Sequence, residues 1–304
     1  MLADALLGSF PAEQVPPSSS IKFPDGADFR IEIPSVEGPK VLAAVVKEAE
    51  HYGVTVNRVS QGSGAMLHPE AELREMSRIA SDAGLEISLF IGPREEWGVG
   101  AMSRSPEGAA LGGSVRGMRQ LRYAVEDSLR AIECGIRGLL IADLGLLQIL
   151  QEARNGGKIP SDVVFKVSVM KAPSNPATLK VLEALGGDTV NLPTDLTLNE
   201  LHEMRSVTNL PLDLYVEAPD NLGGVVRGNE VADLVAAASP LYVKFGLRNS
   251  RGLYPSGMHL DGEATIVARE KVRRASISLE WLKRDSREFV QSKAGAEGLG
   301  IPQL

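Results

Sequence analysis

Cysteine is nearly absent from this sequence of 304 residues: Cys134 stands alone. An intrachain disulfide is excluded, and so is a four-cysteine zinc or iron–sulfur site within one chain. Cys134 falls near the end of a predicted helix, SLRAIECGIRG, where a buried structural thiol is the simpler expectation than a nucleophile. Histidine is scarce too. His51, His68, His202 and His259 show no HExxH or related ligand spacing. No apolar run approaches the length of a membrane span. The start, MLADALLGSFPAEQ, has neither the basic region nor the continuous apolar stretch of a secretory signal. No GxGxxG follows the first predicted strand and no GxxxxGK[ST] occurs, so nucleotide folds lack their phosphate loops. A net charge of -7 argues against general nucleic-acid binding. Together these features point to a cytoplasmic protein with no nucleic-acid or membrane partner.

What is present is a recurring unit. A short apolar, β-rich run is followed by a Gly, Pro or polar break, an amphipathic helix and a stop. Eight such units fill residues 28–285. Their strands are FRIEIPS, VTVNRVSQGSG, LEISLFIGP, IRGLLIADLG, VVFKVSVMKAP, DTVNLP, LPLDLYVEAP and PLYVKFGLRNS. Pro39 and Gly53 bracket the first helix, Asn175-Pro176 opens the fifth, and Thr197 with Glu200 has the spacing of a capping box. Strands that read as apolar runs and alternate with helices imply a parallel sheet covered by helices. Eight repeats favour closure into a (β/α)8 TIM barrel, the α/β fold class expected here, over an open sheet. The Pro- and Ser-rich residues 1–27 read as an N-terminal arm and the polar, Gly-rich residues 286–304 as a C-terminal tail. The stretch Gly92–Gly117 is too long for a plain loop after strand three. It is either a lid carrying Arg94, Glu95, Glu96 and Trp97 over the site, or an oligomer contact or mobile loop.

Sites in such barrels form where the strands end and the βα loops begin. In LDLYVEAPDN, Asp213, Tyr215 and Glu217 alternate onto one side of strand seven, which is costly in a buried strand unless they serve a purpose. Glu32 and Glu217 each sit at a strand-to-loop break marked by proline. Strands one and seven flank strand eight in a closed barrel, which would gather Glu32, Glu217 and Lys244 into one cluster. Such a set could hold a divalent cation on Glu32 and Glu217, act as an acid/base pair, or form a structural ion network. A desolvated Lys244 or Lys166 could form a Schiff base. Arg58 and Lys166 are candidates for substrate binding. After strand eight, Arg248, Asn249 and Arg251 in GLRNSRGLYPSGMHL could take an anion, and His259 could act as acid or base. A small polar or anionic substrate is the expected partner, with a homo-oligomer open.

From Glu133 to Pro219 the sequence resembles the collagenase-like peptidase family U-32. ECGIRGLLIADLGLLQIL matches that family's segment with Asp143 at its aspartate, and NLPTDLTLNELHEM resembles the segment before the next helix. LAAVVKEAEHYG fits loosely. The resemblance implies a (β/α) barrel and a peptidase-like hydrolase. In the family's acid-x-aromatic-x-His-Gly pattern Asp213 and Tyr215 match, but Glu217 stands in place of His and Ala218 in place of Gly. The cysteines that usually follow are absent, and with them any cysteine-ligated cluster. Three readings follow: an acid/base or metal-assisted enzyme (a lyase or isomerase by site composition), a peptidase-like hydrolase, and a barrel that binds or assembles without catalysis.

Overall fold

The structure is a computed structural model and describes Leu6 and residues 15–304. Eight strands pair in parallel and in sequence order, β1 closing onto β8, to form a complete barrel. They are β1 (Phe29–Pro34), β2 (Arg58–Gln61), β3 (Glu86–Phe90), β4 (Gly138–Ile141), β5 (Val164–Val167), β6 (Thr189–Asn191), β7 (Leu212–Glu217) and β8 (Leu241–Phe245). Among the described residues eight α-helices follow them: α1 (Pro39–Tyr52), α2 (Glu70–Asp82), α3 (Gly117–Glu133), α4 (Leu144–Asn155), α5 (Pro176–Ala184), α6 (Leu198–Arg205), α7 (Val231–Ala238) and α8 (Asp261–Leu282). The barrel expected from the eight repeats is therefore the fold. The predicted punctuation operates as read. Pro39 opens α1 and Gly53 closes it with φ 62°. Asn175 Oδ1 accepts from Thr178 N at 2.9 Å, and Thr197 with Glu200 forms the reciprocal capping box on α6.

Alternation along the strands divides the molecule into two interiors of opposite character. Residues such as Ile31, Ile33, Leu89, Phe165, Leu214 and Val243 face outward and join the helices in one continuous apolar core. Burying that face drives closure, because each helix has an apolar stripe that needs covering. The inward faces carry Arg30, Glu32, Arg58, Glu86, Lys166, Asp213, Tyr242 and Lys244, all buried. Barrels of this type ordinarily fill this space with layers of branched apolar side chains. Here a small apolar patch, Phe90, Leu140 and Ala142 with Met170 against it, is set beside the charges near the mouth.

The base of the barrel is closed by the C-terminal tail. Gln291 bridges to Phe29, Asn57 Nδ2 donates to Ser292 O at 3.0 Å, Gly295 N donates to Gly84 O at 2.7 Å and Gln303 N to Gly135 O at 2.9 Å. Buried Arg30 donates from Nε to Ser292 Oγ at 2.9 Å and from Nη2 to Glu297 O at 2.5 Å, with Phe23 stacked 4.1 Å from its guanidinium carbon. The described part of the expected arm also lies at the base, where Ser19 N donates to Ala236 O at 2.7 Å. The rest of that arm, residues 1–14 apart from Leu6, lies outside the described residues. Among the described residues no helix is long and apolar enough to cross a membrane.

Ending the chain at Phe289 would strip Arg30 of two partners and open the charged interior to solvent. Leaving a buried charge short of partners costs about 3–5 kcal/mol, and urea unfolding of the truncated protein should show a loss of that order. An unchanged midpoint would mean that the tail closes nothing.

Candidate active site

Glu32 is the centre of the interior. It sits in the middle of β1, wholly buried, in register with Arg58 of β2 and Lys244 of β8. Its Oε2 accepts from Arg58 Nε at 2.7 Å and from Lys166 Nζ, and its Oε1 accepts from Ser60 Oγ at 2.7 Å with Lys244 Nζ 3.3 Å away. Arg58 continues the network to Asp213, which also accepts from Thr189 Oγ1 at 2.7 Å. Lys166 Nζ lies 3.6 Å from Asp213 Oδ2. Below, the Arg58 guanidinium lies 3.4 Å from the Tyr242 ring centroid, and Nη1 reaches Glu86 Oε1 at 3.5 Å. Above, Lys244 donates to Asn191 Oδ1 and sits 4.3 Å from the Tyr215 ring centroid. Three cations thus interleave with three carboxylates, those of Glu32, Asp213 and Glu86.

The electrostatics follow from burial and these neighbours. Burial alone would push the Glu32 carboxyl up, but Arg58, Lys166 and Lys244 together hold it well below the usual range. Burial and then the Arg58 charge bring Lys166 down to about 7, against the pull of Glu32 and Asp213. Burial raises Tyr215, with Glu32 and Asp213 adding to it, so its phenol stays protonated. The interior therefore holds a fixed carboxylate, an amine poised near neutrality and a neutral phenol under the mouth.

Glu32, Arg58, Lys166, Asp213, Tyr215 and Lys244 are brought together. Glu217 is not, which corrects the expectation that it shares a cation site with Glu32. A bulge between Tyr215 and Glu217 shifts the register so that Glu217 pairs with Phe245, whose side chain belongs to the outer core. Its carboxylate accepts from Arg248 N at 3.1 Å and lies 3.7 Å from Arg274 Nε of α8. The Glu32 oxygens are occupied by hydrogen-bond donors and cations, so the pair does not fit a divalent metal. Among the described residues no group of three or more His, Cys, Asp or Glu side chains has the arrangement to hold one.

The remaining candidates lie in the loop after β8. Arg248 is exposed, with Nε 4.0 Å from Asp220. Asn249 adopts φ 54° and donates its backbone N–H to Asp220 Oδ2 at 2.7 Å, while His259 is exposed in a short 3-10 turn. The part of that loop which reaches the mouth is Tyr254, whose hydroxyl lies 2.6 Å from Ser35 Oγ. Its ring lies against Gly62, where a β-carbon would come 2.3 Å from it. Asp143 caps α4 and holds the insert through Val115 N at 2.8 Å.

Glu37, Glu86, Arg30 and Tyr242 were not among the expected site residues. Glu37 accepts from Gly62 N at 2.8 Å and Ser63 N at 3.1 Å, shaping the loop after β2. Arg30 and Tyr242 each lie two residues before a predicted site residue on the same strand. The period of two that singled out Asp213 and Tyr215 would also have found them.

Replacing Glu32 with Gln removes the one group that faces all three cations. A loss of about 3–5 kcal/mol is expected. The folded carboxyl is held below the ordinary 4.5, so its contribution is present above pH 4.5 and is lost as pH falls through its folded value. The stability gap between wild type and Glu32→Gln, followed by urea unfolding, should close on acidification. A gap independent of pH would contradict this assignment.

The family model described as Peptidase family U32 matches residues 116–218. No curated protein matches the sequence. Among solved structures, the putative copper homeostasis protein CutC from Streptococcus agalactiae is 14% identical, with 71% of this chain and 98% of that one covered at a TM-score of 0.49. A putative phosphonomutase from Burkholderia cenocepacia J2315 is 14% identical over 81% of this chain and 95% of that one, at 0.48. The U32 peptidase Mk0906 is 14% identical over 96% and 94%, at 0.39. These scores carry no functional argument. The matched segment runs from the end of the insert to the residue after β7, and over that stretch, about a third of the chain, the sequence is similar to the U32 family.

Proposed function

We propose that this protein is an enzyme acting by acid/base chemistry on a small polar or anionic molecule held at the mouth of the barrel. The observation that carries the reading is the interior itself. Charged side chains fill a space that apolar side chains would fill at lower desolvation cost, and such a cluster is weak as a stabilising device. Groups with perturbed pKa values inside a barrel, beneath the strand ends where such folds form their sites, are more readily explained by chemistry. In this reading Lys244 and Tyr215, uppermost in the cluster, meet the substrate. Glu32 and Asp213 fix the cations beneath them. Lys166, near 7, exchanges a proton within the network. An assembly barrel without catalysis would be better served by an apolar fill.

A peptidase-like hydrolase is the second reading, favoured by the U32 match. Peptide hydrolysis needs an activated nucleophile or a metal-bound water. Ser60 donates its hydroxyl hydrogen bond to Glu32, and Cys134 is buried at the C-terminus of α3, at the opposite end of the barrel from the mouth. His68 faces Glu72 at 2.7 Å and Gln61 at 3.3 Å. None of these is a nucleophile paired with its base.

The test is a turnover screen of the purified protein against small carboxylates, phosphate esters and peptides, read by mass spectrometry, with Lys244→Met alongside. Turnover of a small anion, reduced about 100-fold or more in the variant as befits loss of an acid/base group, is expected. Retained turnover in Lys244→Met removes the lysine from the mechanism. Peptide cleavage alone would favour the hydrolase.

A further inference from the structure

Arg94 opens the insert after β3 and is used by nothing in the charged interior. It is buried, 7% exposed. Its guanidinium carbon lies 4.2 Å from the Phe90 ring centroid and 3.6 Å from that of Trp97, so the planar cation is clamped between two aromatic faces. Phe90 follows Glu86 and Ser88 on the inward face of β3, which puts the guanidinium over the barrel mouth. Its electrostatic neighbours are Glu96, Tyr254 and Glu37, and Tyr254 in turn neighbours Tyr215, whose ring carries Lys244.

A guanidinium has five N–H donors. Among the described residues one acceptor meets Arg94, the carbonyl of Gly62 at 2.8 Å. Nε is buried with no hydrogen-bond partner. The carboxylate of Glu96 stands 3.5 Å from it and its side chain is 48% exposed. Glu37 is committed to Gly62 N and Ser63 N. A rigid, desolvated fork with unspent donors is built for a planar or tetrahedral oxyanion.

We propose that Arg94 is the anchor for a carboxylate or phosphate group of the substrate, holding it at the mouth while its reacting end meets Lys244. This rests on the proposed function for the reacting end, while the anchoring itself is measurable without turnover. Arg94 selects the substrate class: a small molecule with an oxyanion at one end.

The chain has two tryptophans. Trp281 lies on α8, half exposed and away from the mouth, so Trp281→Phe leaves Trp97 as sole reporter, stacked on the proposed anchor. The full chain in this background is titrated with inorganic phosphate, with malonate, and with sodium chloride at matched ionic strength. A saturable change in Trp97 emission with phosphate or malonate, absent with chloride, is expected. Phosphate alone assigns a phosphate ester and malonate alone a carboxylate. Arg94→Gln should weaken binding at least about tenfold, the value of one charge-assisted hydrogen bond, with Arg94→Lys in between. Glu96→Gln, which leaves the anchor intact and removes its competing carboxylate, should tighten binding several-fold. No response beyond chloride overturns the proposal, as does unchanged affinity in Arg94→Gln or, should that variant not fold, in Glu96→Gln. Anion binding that survives together with undiminished turnover in Lys244→Met would refute the catalytic reading and leave the anchor standing.

Discussion

One carboxylate, that of Glu32, holds the barrel interior together. It lies on β1 and faces cations from β2, β5 and β8, so it ties four of the eight strands through their inward faces. Without it, Arg58, Lys166 and Lys244 would be desolvated cations sharing only Asp213 and Glu86. Such a network is held in place by the outer layer: the apolar core between sheet and helices supplies the driving force, and the interior takes a share of it as desolvation cost. The tail matters for the same reason, since it keeps water from the lower end of the charge stack at Arg30 and Tyr242.

Vertical order gives the interior its chemical sense. Arg30 and Tyr242 lie at the base, Arg58 and Glu32 in the middle, and Lys244, Asn191 and Tyr215 toward the loops. Above them Tyr254 folds against Gly62, and the insert lays Gly112 and Gly113 against Met170. The insert donates no acceptor to the central network, yet it carries the one guanidinium clamped over it. Scaffold, floor and cover therefore come from different levels of the sequence: the repeats, the strand alternation and a single long loop.

The fold was legible because each repeat encodes it twice, in the apolar strand and in the stops at Pro39, Gly53, Asn175 and Thr197. The convergence of Glu32, Arg58, Lys166, Asp213 and Lys244 was partly legible, because a closed barrel forces inward alternation onto a common axis. Glu217 was misplaced for an equally physical reason. Its alternation with Tyr215 predicts the inner face, but one extra residue at the bulge turns it to α8, and nothing in LDLYVEAP marks that residue. Arg94 was legible only as part of a possible lid, because its setting is made by Phe90 of β3, Trp97 of the insert and Gly62 after β2, whose meeting no local pattern records. The base closure by Ser292 and Glu297 was hidden in the same way, in a polar, Gly-rich stretch that reads only as a C-terminal tail.

The chemistry of the interior turns on the buried network holding the Lys166 amine near neutrality. Side-chain nitrogen NMR of the lysine amines between pH 5 and 11 tests it directly. The account predicts that the Lys166 resonance titrates near 7 and moves lower still in Glu32→Gln, where its stabilising carboxylate is gone. Titration of Lys166 at the ordinary lysine value of about 10.4, in both proteins, would contradict it.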